Sequence, residues 1–241
     1  MHAEAMIANG NAQVSSEAGY DVTGVPGWTT TGGGAFNGNI NSGVPPTPDP
    51  LRSIPQPNPN GMITRSTKAL KHSSANTITL RPGVYEGGIA ISGKGNVFME
   101  PGIYYMRGGF SFSGQGSVTG HGVMIYNDPQ SNSDAIALSG QGAITLSPPA
   151  DGPYQGISLF QRRDGSDQPT VSVSGNGTAP LSISGTFYAA AAELKVTGNG
   201  TQDTIGSQYI SNTLSIGGNG TFKVDWNPNV VPGVRQVWLV E

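Results

Sequence analysis

Ile91-Ser-Gly-Lys-Gly95 begins a pattern that returns as Phe112-Ser-Gly-Gln-Gly116, Leu138-Ser-Gly-Gln-Gly142, Val173-Ser-Gly-Asn-Gly177, Val196-Thr-Gly-Asn-Gly200 and Ile216-Gly-Gly-Asn-Gly220. The first glycines of these Gly-x-Gly units, at 93, 114, 140, 175, 198 and 218, are separated by 21, 26, 35, 23 and 20 residues. Self-similarity at such a period marks a chain that stacks one supersecondary unit on the next. Around the units, apolar residues fall in pairs two apart, among them Ile89/Ile91, Val97/Met99, Phe110/Phe112, Ile136/Leu138, Ile144/Leu146, Val171/Val173, Leu181/Ile183 and Leu214/Ile216. A spacing of two places both side chains on one face of a strand. Two inward residues per run make strands of roughly four to five residues bounded by glycine turns. Helical spacing is nearly absent. The best helix candidates are Ser66–Lys71 and the alanine run Ala189–Glu193, and the latter reads better as the continuation of a strand from Phe187-Tyr188.

Three short strands and three turns in about 20–25 residues, stacked about 4.8 Å apart and paired in parallel, describe a right-handed parallel β-helix. An antiparallel sandwich or barrel would instead show hairpin signals every 8–12 residues or so, with outward charges on alternate positions. Here the outward positions read as mostly Ser, Thr, Ala and Gly. Two coils repeat closely: Pro82-Gly-Val-Tyr85-Glu-Gly-Gly88 precedes Ile89, and Pro101-Gly-Ile-Tyr104-Tyr-Met-Arg-Gly-Gly109 precedes Phe110. Pro-Gly sets a tight turn with the glycine at positive φ. Tyr85 and Tyr104 should then stack on neighbouring coils as a structural ladder. Within the Gly-x-Gly units the glycines should supply positive φ and close stacking. Asn176, Asn199 and Asn219 occupy equivalent places suited to an amide ladder. Each begins an Asn-Gly-Thr sequon, and the turn explains these residues without glycosylation.

The organisation follows from composition. Residues 1–43 carry Asn9-Gly10-Asn11 and Asn37-Gly38-Asn39, which echo the later units and predict irregular coils on the same solenoid. Residues 44–75 hold a proline-rich excursion, from Val44-Pro-Pro to Pro55-Gln-Pro-Asn-Pro59, and a short connecting segment; proline removes ladder donors. Residues 76–226 form the β-helix core, and 227–241 a final strand that caps the open end.

Composition excludes several functions. Charged residues are 11% of the chain and the net charge is −3, which leaves no basic footprint for nucleic acid. No stretch of 18 apolar residues spans a membrane. There is no cysteine, so disulfides do not report a compartment. Low charge with abundant Gly, Ser, Thr, Asn and Gln accompanies surface and secreted β proteins. The start, Met1-His-Ala-Glu-Ala-Met-Ile7, lacks the basic and apolar regions of a signal peptide, so the chain is expected to come from a longer exported bacterial protein of the cell surface or extracellular space.

No cofactor or metal is expected. The Gly-x-Gly units open no helix and carry no Walker lysine. The calcium nonapeptide requires Asp where Gly217-Gly-Asn-Gly-Thr-Phe222 has Phe. The three histidines, His2, His72 and His121, are scattered. Gly120-His121-Gly122 matches one fragment of a polygalacturonase signature, and the remaining pieces are missing. The densest polar cluster is Arg162-Arg163-Asp164-Gly165-Ser166-Asp167; Asp128 and Asp134 flank a second loop. Both lie where the coil spacing stretches to 26 and 35, so both leave the solenoid. Two carboxylates about 5–10 Å apart can hydrolyse a glycosidic bond. In that case Asp128, Asp134, Asp164 and Asp167 are the candidate acid, base or nucleophile, with Arg162, Arg163 and Tyr154 binding substrate. The competing reading is ordinary turn chemistry, which Asp-Gly and Asn-Asp-Pro also serve.

The runs Leu80-Arg-Pro-Gly-Val-Tyr-Glu-Gly-Gly-Ile89, Gly122-Val-Met-Ile-Tyr-Asn127, Tyr154-Gln-Gly-Ile-Ser-Leu-Phe-Gln161 and Gly185-Thr-Phe-Tyr-Ala189 resemble the C-terminal β-helical region of bacterial TadE/TadG-like pilus-assembly and related surface proteins. Asp49-Pro-Leu51 and Pro55-x-Pro57, after a Gly/Asn segment, fit the same pattern. The resemblance covers most of the chain and lies in structural turns; it implies a fold and a surface setting, and brings no catalytic residues. The membrane-anchoring helix of those relatives has no counterpart here. Two functions are therefore in view. One is a non-catalytic surface solenoid, a scaffold or adhesive module contacting glycans or partner proteins and able to associate end to end. The other is a glycoside hydrolase or polysaccharide lyase with carboxylates on loops over one face. A third, ice binding, calls for a flat Thr-x-Thr array that the sequence lacks.

Overall fold

A computed structural model of the protein describes residues 4–16, 19–175, 179–198, 203–219, 222–223, 227, 229 and 231–232. Among them there is no α-helix; parallel strands stack into a β-solenoid of about nine coils. In chain order the first six strands are β1 (Glu4–Ala8), β2 (Gln13–Ser15), β3 (Tyr20–Val22), β4 (Gly27–Thr30), β5 (Ala35–Asn37) and β6 (Ile40–Ser42). The main stack opens with coil 1, made of β7 (Thr64–Ser66), β8 (Leu70–His72) and β9 (Ile78–Leu80), and coil 2, made of β10 (Gly83–Tyr85), β11 (Ile89–Ile91) and β12 (Val97–Met99). Coil 3 holds β13 (Gly102–Met106), β14 (Phe110–Phe112) and β15 (Val118–Gly120); coil 4 holds β16 (Val123–Asn127), β17 (Ile136–Leu138) and β18 (Ile144–Leu146). Coil 5 holds β19 (Ile157–Gln161), β20 (Val171–Ser174) and β21 (Leu181–Ile183). In coils 6 and 7 the first two strands merge, giving β22 (Thr186–Thr197) with β23 (Asp203–Ile205), and β24 (Gln208–Gly217) with β25 (Phe222–Lys223). The two helix candidates of the sequence are thus strand and turn at 66–71 and continuous strand at 189–193. Residues 64–75, expected to connect, supply two strands of coil 1.

The stack is not in chain order. β1 pairs in parallel with β24, Ala8 opposite Ile216, and β4 pairs with β1. The first forty or so residues therefore form coils 8 and 9, beyond the last coil of the main run. From there the chain returns along the outside to start coil 1 at the opposite end.

Three columns of strands enclose the core. In the second column the inward residues His72, Ile91, Phe112, Leu138, Val173, Val196, Ile216 and Ala8 lie in register on successive coils. Most are fully buried, each of the large apolar side chains contributing about 1.5–3 kcal/mol. Tyr85 and Tyr104 stack as expected, rings 6.1 Å apart and nearly parallel at 13°. The rings meet diagonally, because Tyr104 stands opposite Gly83 and Tyr85 opposite Met106.

The glycines of the first three Gly-x-Gly units act differently from expectation. None has positive φ. A Cβ on Gly142 would lie 1.4 Å from the Gly116 carbonyl oxygen, and one on Gly116 2.0 Å from that of Gly95. Their role is close approach of neighbouring coils alone. The intervening glutamines do ladder, Gln115 Nε2 donating to Gln141 Oε1 at 3.3 Å. Of the expected asparagine ladder, Asn176 and Asn199 lie outside the described residues; Asn219 Oδ1 accepts from Asn11 Nδ2 at 2.9 Å, across coils 7 and 8.

The first column departs most from the sequence reading. Its outward positions are not small and polar. Val84, Tyr105, Tyr126, Phe160, Tyr188 and Ile210 lie in register on coils 2 to 7. Tyr126 and Phe160 meet edge to face at 5.2 Å, as do Phe160 and Tyr188 at 4.7 Å. Residues 43–63 cover this row, with Leu51 fully buried and Ile54 and Met62 packed against it. The proline-rich segment is a strap laid over a second apolar core. Strands β16 and β19 are consequently buried on both faces, the setting in which strands carry continuous apolar runs.

The expected capping strand at 234–240 lies outside the described residues. Val231 and Pro232 pack on Gly156, beside coil 5 rather than over an end.

Candidate functional site

The corner between the first and second columns gathers most of the singled-out residues. On coils 2 and 3 it is a short glycine turn. On coils 4 and 5 it opens into loops 128–135 and 162–170. Both loops are closed from below by an amide at the last position of the preceding strand. Asn127 Nδ2 donates to the Asp134 carbonyl at 2.7 Å, and Gln161 Nε2 to the Pro169 carbonyl at 2.7 Å. Asn127 also donates to Gln161 Oε1 at 3.1 Å. These two fully buried amides each satisfy one carbonyl of a loop.

Directly above the amides, the next residue of each coil forms a ladder of alternating charge: Glu86, Arg107, Asp128 and Arg162. Arg107 Nη1 meets Glu86 Oε2 at 3.1 Å, and Arg107 Nε lies 3.6 Å from Asp128 Oδ2. Arg162 Nη1 donates to Asp128 Oδ1 at 2.5 Å, and the Tyr105 hydroxyl donates to Asp128 Oδ2 at 2.8 Å. The Asp128 side chain is only 11% exposed, and both its oxygens are engaged. Burial first, and then the hydrogen bond to Asp128, push the Tyr105 phenol well above its ordinary pKa.

The other candidates are distributed around this ladder. Asp134 Oδ2 accepts from the Gln130 amide and the Ser131 hydroxyl, both at 3.0 Å, and so caps its own loop. Asp164 Oδ1 accepts from Gln56 Nε2 at 3.0 Å, while its carbonyl accepts from Arg162 Nε at 2.7 Å. Asp167 Oδ2 accepts from the adjacent Ser166 hydroxyl at 3.4 Å on the exposed loop. Arg163, expected to hold a substrate anion, reaches under the strap instead. It donates to the Ile54 carbonyl at 2.8 Å, the Leu51 carbonyl at 3.4 Å and the Tyr188 hydroxyl at 3.2 Å. Gln56 completes the junction, its Oε1 accepting from the Arg163 amide at 3.0 Å.

Tyr154 belongs to a different place. The excursion 147–156 folds over the corner turns of coils 3 and 4 and leaves a cleft of about 460 Å³. Its walls are Pro101, Ile103, Pro149, Pro153 and the Tyr154 ring, with Asp151 at the rim. His121 sits outside it, Nδ1 3.1 Å from the Ser147 hydroxyl. Sequence reading misses the cleft because its two walls lie about 50 residues apart; Pro148-Pro149 and Pro153 are the local signal that could have drawn attention to the loop. Among the described residues no cluster of His, Asp or Glu suits a metal ion.

Comparison with known proteins returned no matching family model, no matching curated protein and no matching solved structure.

Proposed function

We propose that this protein is a non-catalytic cell-surface β-solenoid, a scaffold or adhesive module that contacts glycans. The observation that carries the reading is the disposition of its charged side chains. Asp128 and Arg162 neutralise each other within the ladder, Asp134 caps its loop, and Arg163 clasps the strap. The groups best suited to acid–base work or anion binding thus have structural partners within the chain. The outer positions of the second column on coils 2 to 5, Ala90, Ser111, Ala137 and Ser172, form a flat run of small residues, and those of the third, Thr79, Phe98, Thr119, Thr145 and Ser182, are small except for the exposed Phe98 ring. Beside them the Tyr154 cleft offers an aromatic face and proline rings to the C–H face of a pyranose, with the Asp151 carboxylate at hand for its hydroxyls. Export and pilus association rest on the TadE/TadG-like resemblance.

The test is a panel of purified polysaccharides, read for reducing-sugar release and unsaturated products, beside a glycan-binding array. The expected result is no turnover, with binding weakened roughly tenfold by Tyr154→Ala. Turnover by the parent that an Asp164→Asn/Asp167→Asn variant loses would overturn this reading in favour of a polysaccharide-acting hydrolase or lyase on the 162–170 loop.

A further inference from the structure

The placement of coils 8 and 9 decides what the protein exposes at its ends. Coil 7 is covered by coil 8, so the ends are coil 1 and coil 9. Among the described residues, β7, β8 and β9 pair only with β10, β11 and β12, and β4, β5 and β6 only with β1, β2 and β3. Each end thus presents, among the described residues, three strand edges with one side unpaired, the template for adding another strand. Neither end is purely polar. Leu70 and Ile78 are half-buried at coil 1, and Trp28, Phe36 and Ile40 at coil 9. Among the described residues, two of the three exposed large hydrophobic side chains lie at the ends, Ile63 entering coil 1 and Val25 entering β4, 61% and 84% exposed.

The ends differ in charge. Residues 1–51 contain no Lys or Arg. Residues 50–85 contain no Asp or Glu but carry Arg52, Arg65, Lys68, Lys71 and Arg81. Coil 1 is the basic end, with Arg65, Lys68 and Lys71 exposed; the coil 8–9 end is acidic, with Asp21 exposed beside Asn41, which donates to it at 2.9 Å.

We propose that the protein assembles head to tail with copies of itself, the outer edge of coil 1 on one molecule continuing the ladder from the outer edge of coil 9 on the next. Two features select this arrangement. Every strand pair in the stack is parallel, and only a head-to-tail contact extends that ladder in the same sense. A two-fold contact would reverse the strands and set basic end on basic end or acidic on acidic. Because the contact joins different surfaces, it does not close, and it propagates as a fibre. Its charge pairing makes it weaken with salt.

The experiment is analytical ultracentrifugation of the full chain from micromolar to millimolar concentration at low and high salt, with electron microscopy of the concentrated sample. The mass should rise from 24.8 kDa with concentration, pass beyond the dimer, and fall back in high salt. Lys68→Glu/Lys71→Glu puts two carboxylates on the basic end, and Asp21→Lys/Asn41→Lys puts two ammonium groups on the acidic end; all four sites are exposed. Each variant alone, checked for unchanged circular dichroism, should associate at least about tenfold more weakly. An equal mixture of the two should recover assembly, because each acidic end again meets a basic one. A wild-type chain that stays monomeric throughout overturns the proposal, as does a species that stops at two. So does a mixture that assembles no better than its components.

Discussion

The Tyr188 hydroxyl donates to Asp49 Oδ2 at 2.6 Å across 139 residues of sequence. The contact pins the start of the strap to coil 6. From there the strap runs past Arg163 on coil 5 and Gln56, 3.4 Å from the Tyr126 hydroxyl on coil 4, to Ile63, whose carbonyl accepts from the Val84 amide on coil 2. It thereby joins coil 9 to coil 1, which chain order alone would set side by side and the stack sets at opposite ends.

Arg163 is the central clasp of the strap. Arg163→Ala should lower stability by about 2–3 kcal/mol, because it frees two strap carbonyls and the Tyr188 hydroxyl from a charged donor. Tyr188→Phe, which removes one hydrogen bond, should cost about 1 kcal/mol. Urea midpoints measure both. Limited proteolysis of Arg163→Ala should find its earliest cuts within residues 43–63; first cuts elsewhere would refute the clasp.

All eight tyrosines have pKa values raised above the ordinary 10, each chiefly by burial, with Tyr188 at about 12. The unfolded chain therefore loses these protons first as pH rises, and binds fewer protons than the native state. Stability from this source is whole below about pH 10 and declines from there through the native pKa of each phenol. Tyrosinate absorbance should stay low past pH 10 and then rise together with loss of the β circular-dichroism signal. Simple titration of several phenols near pH 10 in the folded protein would contradict the burial.

Gly142 and Gly61 separate two uses of glycine. Gly142→Ala drives a methyl group into the Gly116 carbonyl and should cost more than about 4 kcal/mol or prevent folding. Gly61→Ala meets nothing within 4 Å and is penalised only by its φ of +85°, about 1–2 kcal/mol. Thermal unfolding of the pair gives the comparison, and similar losses would sink the close-approach account.

Asp128→Ala should destabilise by about 2 kcal/mol, since it strands the Arg162 guanidinium and the Tyr105 hydroxyl and removes the nearest charge to Arg107 Nε. Asp128→Asn keeps an acceptor for Tyr105 and should lose less. Chemical denaturation of both variants checks the order. If Asp128→Asn proved the worse of the two, the ladder would not be the source of the effect.

The second and third columns were legible because each of their strands buries one face only. Ile89/Ile91, Phe110/Phe112 and Ile144/Leu146 alternate with small residues, and this period-two signal survives in sequence. The same rule misjudges the first column. Val123-Met-Ile-Tyr-Asn127 and Ile157-Ser-Leu-Phe-Gln161 are nearly continuous apolar runs, the mark of strands covered on both sides. The loops at Asp128–Asp134 and Arg162–Asp167 were found from stretched coil spacing, yet the partners of their side chains were not. Gln56, Ile54 and Asp49 lie more than 100 residues from Arg163 and Tyr188, and no local rule of spacing connects them.

Local patterning thus sufficed to define the repeating coil, since strand period, glycine positions and turn chemistry are properties of adjacent residues. The order of the coils, the strap over the second core and the clasp that holds it were decided by tertiary structure. They arise from the burial of an aromatic row, Tyr105, Tyr126, Phe160 and Tyr188, that no single coil can cover by itself, and from the parallel ladder that β1 finds on β24 at the far end of the stack.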